Sequence, residues 1–353
     1  MRDPTWIAQP DDLILITGAG GFIGSRVVEE LLERGFRNLR CLVRPPGASK
    51  KLLSLADRWK GQARLDFCQG NLLSRADCLE ATRDVVLVYH LAAGRADMIA
   101  DAFMNSVVTT RNLLDAIAQH RKLKRFVNVS SFSVYSNRRK PRGRLLDEDC
   151  PMEEKPEDRG DAYTYGKVKQ DEMILQYGKK LGIAYVIVRP GVVFGPGNES
   201  ISNRVGIGTF GVFLHMGGSN PIPLTYVDNC ADAIILAGLS SGVDGEIFNV
   251  VDDALPTSRR FLRLYKKNVR RFFSIYVPRT VSYFLCWLWE KYSAWSEEQL
   301  PPTFNRKGWH VFWKKTRYSN AKLKERLKWS QRVPSDEALR RFFESCRRKQ
   351  QSA

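Results

Sequence analysis

The run Leu13-Ile14-Leu15-Ile16 passes directly into Thr17-Gly18-Ala19-Gly20-Gly21-Phe22-Ile23-Gly24, and helical spacing through Ile23, Val27 and Leu31 follows. A short unbroken apolar run that ends at glycines reads as a strand buried on both faces. Glycines at 18, 21 and 24 allow a sharp turn, a close approach of backbone to a ligand, and tight packing of helix on strand. The helix start supplies free N–H donors and a partial positive charge, which suit a pyrophosphate. Gly18, Gly21, Phe22, Ile23 and Gly24 are therefore candidate contacts to a dinucleotide.

The same alternation repeats. Strands are expected near Leu39–Val43, Arg64–Cys68, Val85–Tyr89, Phe126–Val129 and Tyr185–Val188, with helices over Asp97–His120 and Ala162–Leu181. This predicts an α/β chain with a doubly wound parallel sheet, a Rossmann domain over residues 1–190. Beyond Pro190 the rhythm breaks into a glycine- and proline-rich stretch, and a helix (Ala231–Leu239) and a strand (Ile247–Val251) return near 225–251. Residues 191–353 are expected to be mainly a smaller substrate lobe with a basic, Trp-rich tail.

Charge sharpens that division. The formal charge of +18 on 353 residues splits into +1 over residues 1–254 and +17 over 255–353, where six of the eight Trp also lie. With 43% hydrophobic residues the chain can build a core, which excludes a disordered protein. Seven scattered Cys without a CxxC pair predict neither a disulfide framework nor a metal site, and point to a reducing cytoplasm. The N-terminus lacks a signal-peptide pattern, and apolar stretches such as Val281–Trp289 are shorter than the ~20 residues a membrane span needs. Nucleic-acid binding would need a recognisable module as well as charge, and none is present.

Three further features carry chemistry. At the end of the second strand, where an acidic residue usually accepts from the NAD ribose, the chain reads Val43-Arg44-Pro45. A guanidinium there suits a 2′-phosphate, which favours NADP(H) and leaves NAD(H) open. Tyr163 and Lys167 lie four apart, on one helix face, and a nearby ammonium lowers a phenol's pKa so that it can move protons. Phe126-Val127-Asn128-Val129 leads into Ser130-Ser131, placing a hydroxyl at the C-terminal end of a strand, where open α/β sheets bind ligands.

In this order the three elements resemble the extended short-chain dehydrogenase/reductase family, the NAD-dependent epimerase/dehydratase group. Other matching segments are Gly70-Asn71-Leu72, His90-Leu91-Ala92-Ala93, the helix from Asn105, Arg189-Pro190, Gly195-Pro196-Gly197, Tyr226-Val227-Asp228-Asn229, Gly245–Val250, and Lys328-Trp329 with Val333-Pro334. The resemblance implies Tyr163 as catalytic acid/base, Lys167 as its electrostatic partner and ribose ligand, and Ser131 as the catalytic hydroxyl. It also implies that Asn105 helps hold the site, that Asn71 and Leu72 lie beside the adenine, and that Ala92 and Ala93 line the cofactor.

Dehydratases of this group resemble one another in an Asp-Glu pair after the catalytic Ser/Thr; here Phe132 and Ser133 stand there, which disfavours dehydration. Epimerases of nucleotide sugars commonly carry Asn two residues after the Arg-Pro pair, where this chain has Val192; Arg189 and Val192 are taken as substrate contacts. The implied reaction is hydride exchange at a carbinol or ketone carbon of a nucleotide sugar. A ketone reductase or hydroxysteroid-dehydrogenase-like enzyme with a lipophilic substrate is the alternative, and a non-catalytic NADP-binding redox scaffold is a third. The expected partners are a small-molecule substrate and a second copy, as a homodimer. The aromatic stripe Val281, Leu285, Leu288, Tyr292 and Trp295, flanked by Arg270, Arg271, Arg279 and Lys291, leaves two placements open. It either packs over the sheet domain or contacts an anionic membrane surface peripherally, at the inner membrane face.

Overall fold

The computed structural model describes residues 6–94, 98–136, 141–159, 161–209, 211–296 and 304–351. Seven parallel strands form the central sheet: β1 (Ile14–Thr17), β2 (Asn38–Val43), β3 (Arg64–Gln69), β4 (Leu87–His90), β5 (Arg125–Val129), β6 (Tyr185–Pro190) and β7 (Ile247–Val250). Their spatial order is β7-β6-β5-β4-β1-β2-β3, with Ile14 opposite both Leu39 and Leu87. The order reverses between β1 and β4, so the crevice for a ligand opens at the C-terminal ends of those two strands.

Side-chain alternation sends each strand into two cores. Helices Gly24–Glu33 and Val227–Leu239 cover one face, around Ile14, Ile16, Val27, Leu31 and Ile234. Helices Arg75–Thr82, Thr109–His120 and Ala162–Leu181 cover the other, around Leu15, Val88, Leu113, Phe126 and Ile174. The buried Arg125 of β5 finishes the helix Val227–Leu239 by donating to the carbonyls of Ala237, Gly238 and Ser240, which the helix itself leaves without partners.

The helix expected over Asp97–His120 is not continuous. Asp97 lies outside the described residues, Ile99–Ala102 is one α turn, Phe103–Val108 is a π turn, and the α-helix resumes over Thr109–His120. The hydroxyl of Thr109 donates to the carbonyls of Asn105 and Ser106, and that of Thr110 to Ser106, so the widened turn keeps its acceptors satisfied. This local side-chain bonding is invisible to a 3.6-residue pattern.

After β6 the chain adds several short strands outside the central sheet. Val192–Phe194 pairs in parallel with Leu224–Tyr226, and Val212–His215 pairs with both Gly206–Thr209 and Ser274–Tyr276. A further core joins Phe194, Tyr226, Phe261, Tyr265, Phe342 and Phe343, drawing helix Ser258–Asn268 and the last helix, Ser335–Gln351, together. Trp329 and Leu323 return instead to the core of the central sheet.

Asn229 fastens the two ends of this arrangement. Fully buried, it donates to Asp252 Oδ1 at 3.0 Å, donates to the Val333 carbonyl at 3.0 Å, and accepts from the Val333 amide at 2.9 Å. Asp252 also accepts from the Tyr226 amide. Tyr226–Asn229 and Val333, which the sequence offers as two separate segments, thus become one joint. Asn229→Ala leaves Asp252 and the Val333 peptide groups without these partners, and is expected to destabilise the fold by about 3 kcal/mol, read as a lower urea midpoint at unchanged slope.

Candidate active site at the strand ends

The glycine turn has the shape its sequence predicts. Gly18 sits at φ +70°, and a Cβ there would stand 2.8 Å from the Ala92 amide nitrogen; a Cβ on Gly24 would stand 2.1 Å from the Gly18 carbonyl oxygen. Any side chain at either position would force the turn open. The following helix, Gly24–Glu33, has no side-chain cap at Ile23 and no acidic residue in its first turn. The amides of Ser25, Arg26 and Val27 already bond back to the Gly21 and Ile23 carbonyls, whereas those of Phe22, Ile23 and Gly24, at the turn itself, have no backbone acceptor among the described residues, so the cradle fits a dinucleotide pyrophosphate. Phe22 packs under Gly197, where a Cβ would come within 3.3 Å of its ring, so the Gly195–Gly197 loop closes over the turn.

A chain of hydrogen bonds leads from this turn to Lys167. The Ala92 amide donates to Thr17 Oγ1 at 3.3 Å, Thr17 Oγ1 meets His90 Nδ1 at 2.8 Å, and His90 Nε2 meets Thr110 Oγ1 at 2.9 Å. Gln170 Nε2 donates to the same Thr110 oxygen at 2.7 Å, and Lys167 Nζ donates to Gln170 Oε1 at 3.0 Å and to the Val129 carbonyl at 2.6 Å. The one hydroxyl hydrogen of Thr110 goes to the Ser106 carbonyl at 2.6 Å, so His90 must carry its proton on Nε2 and accept from Thr17 at Nδ1. Burial and the neighbouring Lys167 charge push the His90 imidazolium down to about 3, which keeps the ring neutral in that tautomer.

Lys167 is itself enclosed. Burial pushes its pKa down to about 8, with partial relief from Asp171. Tyr163, one helical turn earlier, is 38% exposed and so can reach a substrate. Asp161 caps the helix by accepting from the Thr164 amide, which fixes where Tyr163 stands. Gly166, between the pair, brings the π turn close: a Cβ there would be 3.2 Å from Ser106 Oγ. Ser131 follows β5, and its Oγ accepts from the Ser133 amide, holding the turn Phe132–Val134. Phe132 is buried and stacks on Tyr318 at 5.7 Å, so no acid occupies the place after Ser131.

The remaining expected residues divide. Asn105 lies in the π turn against Gly94, where a Cβ would be 2.4 Å from its own Cβ, next to Ala92 and Ala93. Arg44 is exposed at the end of β2, and no carboxylate among the described residues pairs with it. The side-chain oxygen of Asn71 is used locally, accepting from the Leu73 amide, while Leu72 is buried in the sheet core. Val192 borders a small cavity of about 70 Å³ with Phe261 and Phe342.

Arg189 differs from its expected place at the substrate. It is 1% exposed, pairs with the buried Asp171 at 3.0 Å, and lies 4.7 Å from the centre of the Tyr135 ring. A buried carboxylate needs a paired charge, and Asp171 takes Arg189 together with Asn128 and Ser130. Sequence reasoning missed Gln170 and Asp171, although their positions three and four residues after Lys167 put polar groups on the same inward helix face. It also quoted His90 only as part of a motif; the alignment of Thr17 with His90 across β1 and β4 gives that residue its role.

A neutral buried His has a pH signature. Its folded pKa near 3 lies below the usual value near 6.5, so between those values the unfolded chain binds a proton that the folded chain does not, and stability falls as pH drops through this window. Wild type is expected to lose about 2 kcal/mol more than His90→Asn between pH 7 and pH 5, measured by denaturant titration at both values.

Comparison with known proteins agrees with this geometry. A family model described as the NAD dependent epimerase/dehydratase family matches residues 14–250. Cinnamoyl-CoA reductase 1 of Petunia hybrida is 30% identical over 186 residues, covering 52% of this chain and 55% of that protein. The 3β-hydroxysteroid-dehydrogenase/decarboxylase isoform 1 of Arabidopsis thaliana is 25% identical over 253 residues, covering 68% of this chain and 56% of its own length. This chain thus spans about half the length of the curated relatives it matches. Among solved structures, UDP-glucuronic acid 4-epimerase from Bacillus cereus, in complex with UDP-glucuronic acid and NAD, shares the fold with a TM-score of 0.70 at 19% identity, over 96% of this chain and 99% of that one. The matched segment takes in the glycine turn, the Ser131 strand end and the Tyr163–Lys167 helix in one run, and the chain belongs to the NAD dependent epimerase/dehydratase family.

Proposed function

We propose that the protein is an NAD(P)-dependent oxidoreductase or epimerase that exchanges a hydride at a carbinol or ketone carbon of a nucleotide sugar. The observation that carries this reading is the enclosed Lys167, hydrogen-bonded back to the glycine turn and one helical turn from the accessible Tyr163. The bound nicotinamide would supply or accept the hydride. Gly18, Gly21 and Gly24 with the open helix start would hold the pyrophosphate, and Ala92 and Ala93 would line the cofactor. Tyr163 would pass the proton between its phenol oxygen and the substrate oxygen, with Ser131 hydrogen-bonded to that same oxygen. The Lys167 ammonium, charged below its pKa of about 8, would favour the phenolate. Residues 191–353 would supply most of the substrate pocket, and the fold likeness to a UDP-glucuronic acid epimerase supports a nucleotide sugar there.

A second reading is a reductase for a lipophilic substrate. It is favoured by the sequence likeness to a cinnamoyl-CoA reductase. Turnover with a panel of UDP-sugars beside aromatic acyl-CoA thioesters and hydroxysteroids separates the two. With whichever substrate reacts, Tyr163→Phe is expected to lower kcat by about 10²–10⁴-fold while cofactor binding is retained; an unchanged rate overturns the mechanism.

The exposed Arg44 supports NADP(H) over NAD(H), through its charge on a 2′-phosphate. Arg44→Asp is expected to shift the ratio of kcat/KM for NADP(H) over NAD(H) by at least about tenfold toward NAD(H), measured with both cofactors under identical conditions.

A further inference from the structure

Helix Arg279–Trp295 is turned the opposite way from a solvated amphipathic helix. Its buried residues are Ser282, Cys286 and Ser293, and Trp309 Nε1 donates to Ser282 Oγ at 2.9 Å. Val281, Phe284, Leu285, Leu288, Tyr292 and Trp295 are exposed, Trp295 to 78%. At 3.6 residues per turn these side chains fall within about 100° of the helix circumference, on the side away from the buried serines. Phe273, Ile275 and Tyr276, on and beside the edge strand that precedes the helix, are exposed as well.

The charge around this surface is predominantly positive, and Glu290, the one acidic residue of the helix Arg279–Trp295, is bound by Arg306 at 2.7 Å. From Ala254 to Trp289 the sequence contains eight Lys or Arg and no Asp or Glu. Arg260, Arg263, Lys267, Arg270 and Arg271 are exposed, and none of them pairs with a carboxylate among the described residues. Contacts join the basic helix Ser258–Asn268 to the apolar strand: the Arg259 guanidinium lies 5.4 Å from the centre of the Tyr276 ring, and Lys266 Nζ donates to Ser274 Oγ at 2.6 Å. On the last helix, by contrast, Arg340 and Arg341 are both matched by Glu337.

We propose that this face seats the protein on the surface of an anionic phospholipid bilayer. The aromatic and aliphatic stripe enters the boundary between headgroups and acyl chains, and the unpaired bases around it meet lipid phosphates. A second copy of the same face would bring two acid-free basic segments together, which like-charge repulsion opposes. A polyanion without an apolar layer would leave the stripe in water. No described helix is long and apolar enough to cross a membrane, so this helix lies along the surface.

The test is co-sedimentation of the full chain with vesicles of phosphatidylcholine alone and of phosphatidylcholine mixed with phosphatidylglycerol. Binding at least about tenfold stronger to the anionic vesicles, weakened by added salt, is expected. The variants Leu288→Asp and Trp295→Ser, both at exposed positions, are expected to abolish binding with an unchanged thermal melt. Equal binding to both vesicles, or none to either, overturns the proposal. So does a dimer in analytical ultracentrifugation that Leu288→Asp dissolves and anionic vesicles do not, which would assign the face to a second copy. Substrate turnover does not enter the readout, so this outcome is independent of the proposed activity.

Discussion

The enclosure of one ammonium group organises the centre of this protein. Lys167 is held charged in the interior by the Asp171 carboxylate and by carbonyl oxygens fixed at hydrogen-bonding distance, one from Val129 at the end of β5 and one from Gln170 on its own helix. Gln170 is held in turn by Thr110, Thr110 by His90 and Ser106, and His90 by Thr17 at the end of the first strand. Each member has a single orientation that satisfies its neighbours. The chain therefore fixes the relative positions of three strand ends, the π turn and the Tyr–Lys helix before any ligand arrives.

A second buried polar cluster lies one helical turn further along. Asp171 gathers Asn128, Ser130 and Arg189, and the Arg189 guanidinium packs over Tyr135, whose hydroxyl donates to Asn249 of the edge strand β7. One helix thus carries Tyr163 and Lys167 at the strand ends and, a turn later, the carboxylate of an ion pair with the sheet. A change at Asp171 would reach Lys167 through the helix that carries both.

Much of this was legible in the sequence because short-range rules govern it. The helix Ala162–Leu181 has the bounds its pattern predicts, since Asp161 supplies a cap and Gly182 takes a left-handed conformation at its end. The first strand and glycine turn were legible because a Cβ at Gly18 or Gly24 has nowhere to go. The π turn was not, because its cause lies in hydroxyls of Thr109 and Thr110 folding back on carbonyls. The burial of Arg189 was not either, because its partner Asp171 is distant along the chain from the Arg-Pro motif that drew attention to it. The outward apolar face of helix Arg279–Trp295 could not be read from spacing alone. Periodicity gives the width of a stripe, and only the serines and Cys286 packed inside show which way it points.

The joint at Asn229 has a consequence for how the chain comes together. The helix beginning at Val227 covers the central sheet, yet the residue near its start is completed by Val333, 104 residues later, and Glu30 in the first helix meets Arg332 across 302 residues. During synthesis the first helix and the Val227–Leu239 helix can pack on the sheet while the groups that will receive this late segment still face water. Such distant closures are slow to form, because their entropy is lost before any contact repays it. The helix that follows the first strand, early in the sequence, is thereby among the last parts of this fold to be finished, and its final setting depends on a residue 302 positions later.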